Sequence, residues 1–152
     1  MVISIGLSKQ NLIVSLKRSH ISDIEALLER CDLPFSDCGE HIQNFVGVIK
    51  SGNLIAIGAL QYEDSVALLR SIAVHPDSRG QGLARAITHH LIEQARSREV
   101  RQLYILTETA EAYFSQFGFY SIPRQAAPVR IQATRQYESI CPSSAQLMRL
   151  DL

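Results

Sequence analysis

The sequence predicts an α/β sandwich built on a mixed β-sheet. Strand-like and helical segments follow one another in the order β-α-β-β-β-α-β-α-β-β, and the three consecutive strands in the middle have the pattern of an antiparallel meander. The chain has 152 residues, of which 46% are apolar, and it contains no repeat or linker. Residues 1–152 are therefore expected to form one domain with a core that needs no disulfide support.

The first two elements are predicted from alternation and from a capping pattern. Strand-like alternation covers Asn11–Leu16. Ser22 with Glu25 three residues later has the pattern of a capping box, which predicts a helix over Ser22–Cys31 that Pro34 terminates.

Turn residues and helical spacing define the rest of the chain. Gly52 and Asn53 tolerate the positive φ of a tight hairpin inside the meander, and Gly118 is placed to end a helix in the left-handed conformation. The predicted meander strands are Phe45–Ile49, Leu54–Tyr62 and Val66–Val74. The prediction continues with a helix Gly82–Ser97, a strand Gln102–Leu106, a helix Thr109–Phe117, a strand Phe119–Ile122, a short helix Pro128–Thr134 and a strand Ala145–Leu150.

Charge and composition exclude several functions. The formal net charge is +0, so the molecule as a whole does not attract nucleic acid or an anionic membrane. The longest apolar stretch, Leu54–Leu60, is far shorter than the roughly 20 residues of a membrane span, and the N-terminal residues lack a secretory signal pattern. Three cysteines, an odd number, are expected as free thiols. A cytoplasmic protein is predicted.

Metal binding is not predicted. Cys31, Cys38 and His41 follow a Cys-x6-Cys-x2-His spacing, which lacks the short paired spacing of structural zinc sites. His41, His75, His89 and His90 are expected to be ordinary surface or packing residues.

The most informative segment is a strand that runs through a glycine-rich turn into a helix. Amides at the start of a helix lack intrahelical partners and lie at the positive end of the helix dipole, so residues 80–84 are expected to bind a phosphate or diphosphate. Gly80 and Gly82 allow close approach, and Arg79 adds charge. A nucleotide triphosphate loop would need Lys after the turn, and a dinucleotide loop a third Gly where Arg85 stands. A turn without any ligand is the simpler alternative.

The segment Arg79–Ala84 resembles the Gln/Arg-x-x-Gly-x-Gly/Ala loop of the GNAT superfamily of acyl-CoA-dependent N-acetyltransferases, and it follows His75-Pro76. Residues 110–119 are similar to the family's Ala-x-x-x-Phe-x-x-x-Gly-Phe pattern. The resemblance implies a GNAT-like three-layer sandwich with a centrally splayed sheet, acetyl-CoA as co-substrate, no metal and a homodimer. The residues that would bind acetyl-CoA are Ile72, Ala73, Val74, Arg79, Gly80, Gln81, Gly82, Leu83, Ala84, Thr107, Ala110 and Phe114.

The resemblance also implies how transfer would occur. The wedge between the fourth strand and the fifth, Gln102–Thr107, would hold the pantetheine arm, and the amide near Ile72 would donate to the oxyanion formed during direct attack by the amine. The family often has Tyr where this chain has Phe114, Asn where it has Thr107, and Glu on the fourth strand. Tyr113 is therefore a candidate general acid, although packing is its simpler role, and Glu108 a candidate general base or a helix N-terminal acid.

A closer resemblance links residues 69–74, 106–110 and 141–145 to the arsenic-resistance N-acetyltransferases, whose relatives acetylate arsinothricin and phosphinothricin. These amino acids carry a second acidic group, so Arg70, Ser71 and Arg124 are expected to bind substrate. A salt bridge on the outer sheet face is the alternative for Arg70. The predicted protein acetylates the amine of a small amino-acid-like molecule and binds neither nucleic acid nor membrane. A non-catalytic acyl-CoA-binding module and a protein N-terminal acetyltransferase are the alternatives.

Overall fold

The computed structural model describes residues 12–152. Its strands are β1 (Ile13–Ser15), β2 (Phe45–Lys50), β3 (Asn53–Glu63), β4 (Val66–Val74), β5 (Gln102–Thr107), β6 (Tyr120–Ile122) and β7 (Gln146–Asp151). Its α-helices are α1 (Ile21–Arg30), α2 (Leu83–Ser97), α3 (Glu111–Ser115) and α4 (Val129–Gln132). The predicted element order is confirmed.

One mixed sheet contains all of these strands, in the order β1-β2-β3-β4-β5-β7-β6. The pair β4–β5 is parallel and the other neighbouring pairs are antiparallel. The parallel pair is joined by α2, as a crossover between parallel strands requires. β7 returns from the C-terminal segment and inserts between β5 and β6. The predicted α/β class and mixed sheet are therefore confirmed.

The sheet is covered by helices on both faces. Successive side chains of a strand point to opposite faces, so β3 contributes to two cores. Ile57 and Ala59 pack in the cluster that contains Ile24 and Leu28 of α1, whereas Ala56 and Leu60 pack in the cluster that contains Ile87 and Leu91 of α2. This alternation produces the three-layer arrangement.

Several predicted boundaries differ from the structure. The first strand begins at Ile13, and Asn11, at which the prediction began, lies outside the described residues. The predicted capping box is wrong: α1 begins at Ile21 because a 3-10 turn leads directly into it, so Ser22 lies within the first helical turn. In the β2–β3 hairpin, Ser51 and Gly52 have the positive φ angles expected of Gly52 and Asn53, because Asn53 already pairs with Lys50.

β4 contains a β-bulge that the sequence did not indicate. Ala59 pairs with Arg70 and Ile57 pairs with Ala73, so Ser71 and Ile72 together lie opposite Gly58. Ser71 has a φ of 62°, in the left-handed region that costs a non-glycine residue about 1–3 kcal/mol. The extra residue shifts the alternation of side chains along β4, and it changes which face the residues after the bulge occupy.

Short helical segments occupy the connections. The connection between α1 and β2 includes a 3-10 segment, Cys38–Asn44, and the connection between α4 and β7 includes a π-helical turn, Gln136–Ile140. Neither was predicted, because each is shorter or more irregular than a pattern of helical period can detect. Both connections contribute residues to the same cavity, described below.

Candidate active site

A cavity of about 830 Å³ opens where β4 and β5 separate. The two strands pair only at Val66–Leu68 with Gln102–Tyr104, although both continue well beyond these residues. The splayed sheet implied by the family resemblance is therefore present. The cavity is lined by β4, β5, the start of α2, α3 and the connections around Leu33 and Cys141.

The glycine-rich turn forms one end of this cavity. Gly80 and Gly82 have φ angles of 79° and 80°, and a Cβ added to either residue would meet nothing within 4 Å. Both glycines are needed for their backbone conformation and leave open space for a ligand that approaches the backbone. Gly82 is the residue before the first turn of α2, so the turn ends at the helix N-terminus.

The amides of the turn are free to bind an anion. Within residues 12–152, the N–H groups of residues 80–84 donate no hydrogen bond to backbone or side chain. Gly80, Gly82, Leu83 and Ala84 line the cavity, whereas Gln81 is not among its lining residues. Free amides at the positive end of a 15-residue helix suit a diphosphate.

Arg79 is positioned by the strand that precedes it. Its Nε donates to the carbonyl oxygen of Val74 at 3.2 Å, and its Nη2 lies 3.5 Å from the sulfur of Cys31. The Cys31 thiol itself donates to the same Val74 carbonyl at 3.5 Å. The guanidinium is thus held at the rim of the cavity, but the Val74 carbonyl, expected to be free for a ligand, already accepts from two groups.

The β-bulge forms part of the cavity wall. Ser71 and Ile72 both line it, and Ile72 has no pairing partner on either neighbouring strand. Unpaired backbone groups inside a cavity can hydrogen-bond a ligand in place of a strand. This is the position at which the resemblance implied an oxyanion donor, and the bulge interrupts the register between β3 and β4 there.

Arg70 lies beneath the bulge and is engaged within the protein. It is 2% exposed, and Nη1 and Nη2 donate to the two carboxylate oxygens of Asp37 at 2.6 and 2.5 Å. Nη1 also donates to Gln61 at 3.2 Å, and Nε donates to the Ser71 hydroxyl at 3.1 Å. Arg70 lines the cavity as expected, but its charge is neutralised by a bidentate ion pair. This pair is buried, not on an outer sheet face.

Tyr113 lines the cavity, but its hydroxyl is buried near α2. The oxygen is buried, has no hydrogen-bond partner among the described residues, and lies near Thr88 and Arg85 of α2. Burial raises the pKa of this phenol, since the anion would be desolvated. The ring packs edge-to-face on Phe114 and on Phe117, with centroids 5.1 and 5.4 Å apart. The geometry favours the packing role.

The end of β5 provides a carboxylate without a partner. Glu108 is exposed, lines the cavity, and forms no hydrogen bond or ion pair within the part of the chain that the structure describes. Its neighbour Thr107 also lines the cavity, but its hydroxyl accepts from the Ala110 amide at 3.0 Å and so caps the turn before α3. Glu108, like Asp32 at the connection after α1, is a lining carboxylate that can accept a proton.

Arg124 is not a lining residue of the cavity, in contrast to its predicted role in substrate binding. Its guanidinium donates to three backbone carbonyls, those of Tyr137 at 3.0 Å, Ala145 at 3.0 Å and Pro142 at 3.4 Å. It also stacks 4.6 Å above the Tyr137 ring. Arg124 therefore fixes the backbone of the C-terminal connection that lines the cavity, and it does so from outside.

Sequence reasoning missed the residues that complete the far end of the cavity. Gln136 and Cys141 line it, and the Cys141 thiol donates to the Gln136 side-chain oxygen at 3.2 Å. Burial raises the pKa of Cys141, whereas Arg70 lowers it. Cys141 belongs to a segment that carried the closer family resemblance, which was the available signal; Asp37 had none. Among residues 12–152, no group of three or more His, Cys, Asp or Glu side chains could hold a metal ion.

A splayed sheet with free amides at one end of the wedge and a carboxylate among its lining residues is the arrangement of the GNAT fold class. A family model for the acetyltransferase (GNAT) family matches residues 14–119, and the chain belongs to this family. No described helix has the length and apolar character needed to cross a membrane.

Known relatives and structures agree with this assignment. An amino-acid acetyltransferase from Vibrio atlanticus is 28% identical over 101 residues, which are 65% of this chain and 23% of that protein. The N-acetylglutamate synthase of Neisseria gonorrhoeae, solved with coenzyme A and N-acetyl-glutamate, superposes with a TM-score of 0.80 at 20% identity, over 94% of this chain and 35% of that one. A Mycobacterium tuberculosis protein solved with CoA superposes with a TM-score of 0.79 at 19% identity, over 93% of this chain and 99% of that one.

These comparisons differ in what they establish. The solved structures establish the fold. The curated relative is a much longer protein, since the chain spans about a quarter of its length.

Proposed function

We propose that this protein transfers the acetyl group of acetyl-CoA to the primary amine of a small amino-acid-like molecule. The observation that carries the proposal is the wedge between β4 and β5, which has free amides at one end and is lined by the carboxylate of Glu108 and by the bulged segment of β4. The wedge can bind a thioester and an amine next to each other. Positioning of this kind supplies much of the rate acceleration of a direct transfer.

The cavity fits the two parts of the co-substrate. The amides of Gly82, Leu83 and Ala84 suit the diphosphate, and Arg79 at the rim adds a positive charge. The unpaired backbone around Ile72 suits the amide groups of the pantetheine arm, because an extended chain can bond there as an added strand. A neighbouring amide of the bulge would then face the acetyl carbonyl.

The acceptor would bind at the opposite end from the glycine-rich turn. We call this the acceptor end and define it by Arg70, Ser71, Glu108, Gln136 and Cys141, all of which line the cavity. Glu108 would take the proton of the attacking amine directly or through a water molecule. The amino-acid acetyltransferase relatives support an amino-acid-like acceptor.

Thiol release from acetyl-CoA, measured across a panel of amines, tests the proposal. The panel includes proteinogenic amino acids, arsinothricin and phosphinothricin, an N-terminal peptide and a polyamine. Acetylated product identified by mass spectrometry from at least one free amino acid or analogue is the expected result. Coenzyme A binding without turnover on any amine would instead support a non-catalytic acyl-CoA-binding module. Turnover only on the peptide would support a protein N-terminal acetyltransferase.

Two further expectations belong to the same proposal. The three cysteines are free, which fits a reducing compartment such as the cytoplasm. The homodimer implied by the family resemblance is tested by sedimentation equilibrium at several protein concentrations.

A further inference from the structure

We propose that Asp37, by neutralising Arg70, makes the acceptor end select amines whose second polar group is uncharged or cationic and reject those with a second acidic group. This inference rests on the proposed function and narrows its substrate class. It opposes the expectation from sequence, in which Arg70 and Arg124 would bind an acidic head group.

Arg70 and Asp37 form a buried ion pair. Both Nη atoms of Arg70 donate to Asp37, Nη1 also donates to Gln61 and Nε donates to Ser71, so four of the five N–H groups have partners inside the protein. Asp37 is 1% exposed and Arg70 is 2% exposed. A second carboxylate could gain a full charge-assisted contact from Arg70 only by displacing Asp37 from a buried bidentate pair.

The protein environment lowers the pKa values of both Asp37 and the neighbouring His41. Burial disfavours the Asp37 carboxylate, but the hydrogen bonds and charge of Arg70 outweigh burial, so the pKa of Asp37 is lowered and the pair stays charged on both sides. His41 lies 3.8 Å from Asp37 and could have added a positive charge. Burial and the charge of Arg70 lower the pKa of His41, which keeps this imidazole neutral near pH 7.

The other arginines near the cavity are held by other groups. Arg124 is not a lining residue and donates to backbone carbonyls of the C-terminal connection, and Arg135 forms an ion pair with Glu40. Arg79 lies at the glycine-rich turn, where it contacts Val74 and Cys31. Arg70 is thus the cation that lines the acceptor end in the part of the chain that the structure describes, and its charge is already matched.

One carboxylate at the acceptor end has no cationic partner. Glu108 lines the cavity without an ion-pair partner among residues 12–152. Burial raises the pKa of the nearby Cys141 thiol, the charges of Arg70 and Arg124 lower it, and those of Asp37 and Glu108 raise it to a smaller extent. A second carboxylate or phosphinate would face the negative charge of Glu108 in a partly enclosed cavity, where like charges repel more strongly than in water. A carboxamide or an ammonium group meets no such repulsion.

Matched pairs of amino acids isolate this effect. L-Glutamine and L-glutamate, and L-asparagine and L-aspartate, share the α-amine and α-carboxylate and differ in the charge of the second group. Each is titrated calorimetrically into the protein saturated with coenzyme A, and each is also assayed for acetylation. We expect the amide of each pair to bind at least about tenfold more tightly than the acid. Equal binding, tighter binding of the acids, or binding of none of the four would overturn the inference.

Two variants assign the selectivity to the ion pair. Asp37→Asn leaves the Arg70 charge unmatched, and we expect the preference to move towards the acids. Asp37→Asn combined with Arg70→Gln restores neutrality, and we expect it to keep the preference of the parent protein for amides. A shift of the same size in both variants would overturn the role of charge. If Asp37→Asn does not fold, as judged by near-ultraviolet circular dichroism, the parent protein and the double variant decide.

The readouts separate this inference from the proposed function. Binding is measured without transfer, so a protein that binds amides tightly and acetylates none of them would support the selectivity while contradicting the transferase activity. Acetylation of glutamate and phosphinothricin in preference to glutamine would confirm the activity and overturn the selectivity.

Discussion

Leu68 and Tyr104 are the last two residues through which β4 and β5 pair, and the wedge begins immediately beyond them. Up to this point the two strands share a parallel ladder, and after it their facing edges are free. The bulge at Ser71 lies on the free part of β4, and Glu108 directly follows the free part of β5. The candidate site is therefore formed by the divergence of two strands, and the glycine-rich turn that follows β4 closes one of its ends.

The glycine-rich turn can be tested by Gly82→Glu. The new carboxylate would occupy the open space beside the free amides, so we expect affinity for coenzyme A to fall by about 100-fold or more, measured by calorimetry. Gly52→Glu is a matched control, because Gly52 also has a φ of 80° and no atom within 4 Å of an added Cβ. Both variants should lose about 1–3 kcal/mol of stability from backbone strain. Equal coenzyme A affinities in the two variants would contradict the assignment of the turn.

The contact between the bulge and α2 can be tested by Gly58→Ala. A Cβ at this residue would lie 2.6 Å from the Ile87 Cγ2 and 2.7 Å from the Ile72 Cδ1, so these packed side chains must shift. We expect a loss of about 1–3 kcal/mol in the free energy of unfolding, measured by urea denaturation, and a fall in acetyl transfer because Ile72 lies in the cavity. Gly39→Ala is the control, since its Cβ would meet Ile21 at 3.9 Å. A Gly58→Ala protein as stable as this control would refute the close packing.

The Asp37–Arg70 pair predicts a pH dependence of stability. Because the pKa of Asp37 is lowered in the folded protein, its contribution is present above the unfolded value of about 3.9 and is lost as the pH falls through the folded value. Asp37→Asn removes this dependence and leaves Arg70 buried without its partner, at a cost of about 3–5 kcal/mol near pH 7. Urea denaturation from about pH 6 to pH 2 measures both effects. Parallel stability curves for the two proteins over this range would contradict the pairing.

Arg124 is expected to affect the acceptor through the backbone it holds. Arg124→Ala removes three hydrogen bonds from the C-terminal connection, so we expect a loss of about 1–3 kcal/mol and a higher KM for the acceptor. Affinity for coenzyme A should not change, because the turn that would hold its diphosphate lies elsewhere. Arg130→Ala, which breaks an exposed pair with Asp64, should cost less than about 0.5 kcal/mol. An Arg124→Ala protein whose acceptor KM is unchanged would show that this connection does not shape the acceptor end.

Glu108 is expected to act as the proton acceptor. Glu108→Gln keeps the size of the side chain and removes its basicity, so we expect kcat to fall by about 100-fold while affinity for coenzyme A is retained. Glu93→Gln on α2 is the control, since Glu93 forms an exposed pair with Arg96. Steady-state kinetics over a range of pH provides the measurement. Full activity in Glu108→Gln would exclude this carboxylate as the base.

Several features that depend on neighbouring residues were predicted correctly from the sequence, whereas several that depend on tertiary contacts were not. The order of the elements and the positive φ of Gly82 and Gly118 were predictable, because periodicity and glycine conformation depend on neighbouring residues. The bulge was not, because Ser71 carries none of the glycine signal that marks many positive φ angles. The burial of the Tyr113 hydroxyl near Thr88 and Arg85 of α2 also depends on tertiary packing.

The sequence by itself determined the fold class, the family resemblance and the glycine-rich turn at the start of α2. Each of these features depends on consecutive residues, whose backbone preferences act locally. The tertiary structure alone decided that Arg70 is paired with Asp37, 33 residues away, and that Arg124 lies outside the cavity. The physical reason is that the effective charge of a buried side chain depends on which groups surround it in space, and spacing along the chain does not specify them.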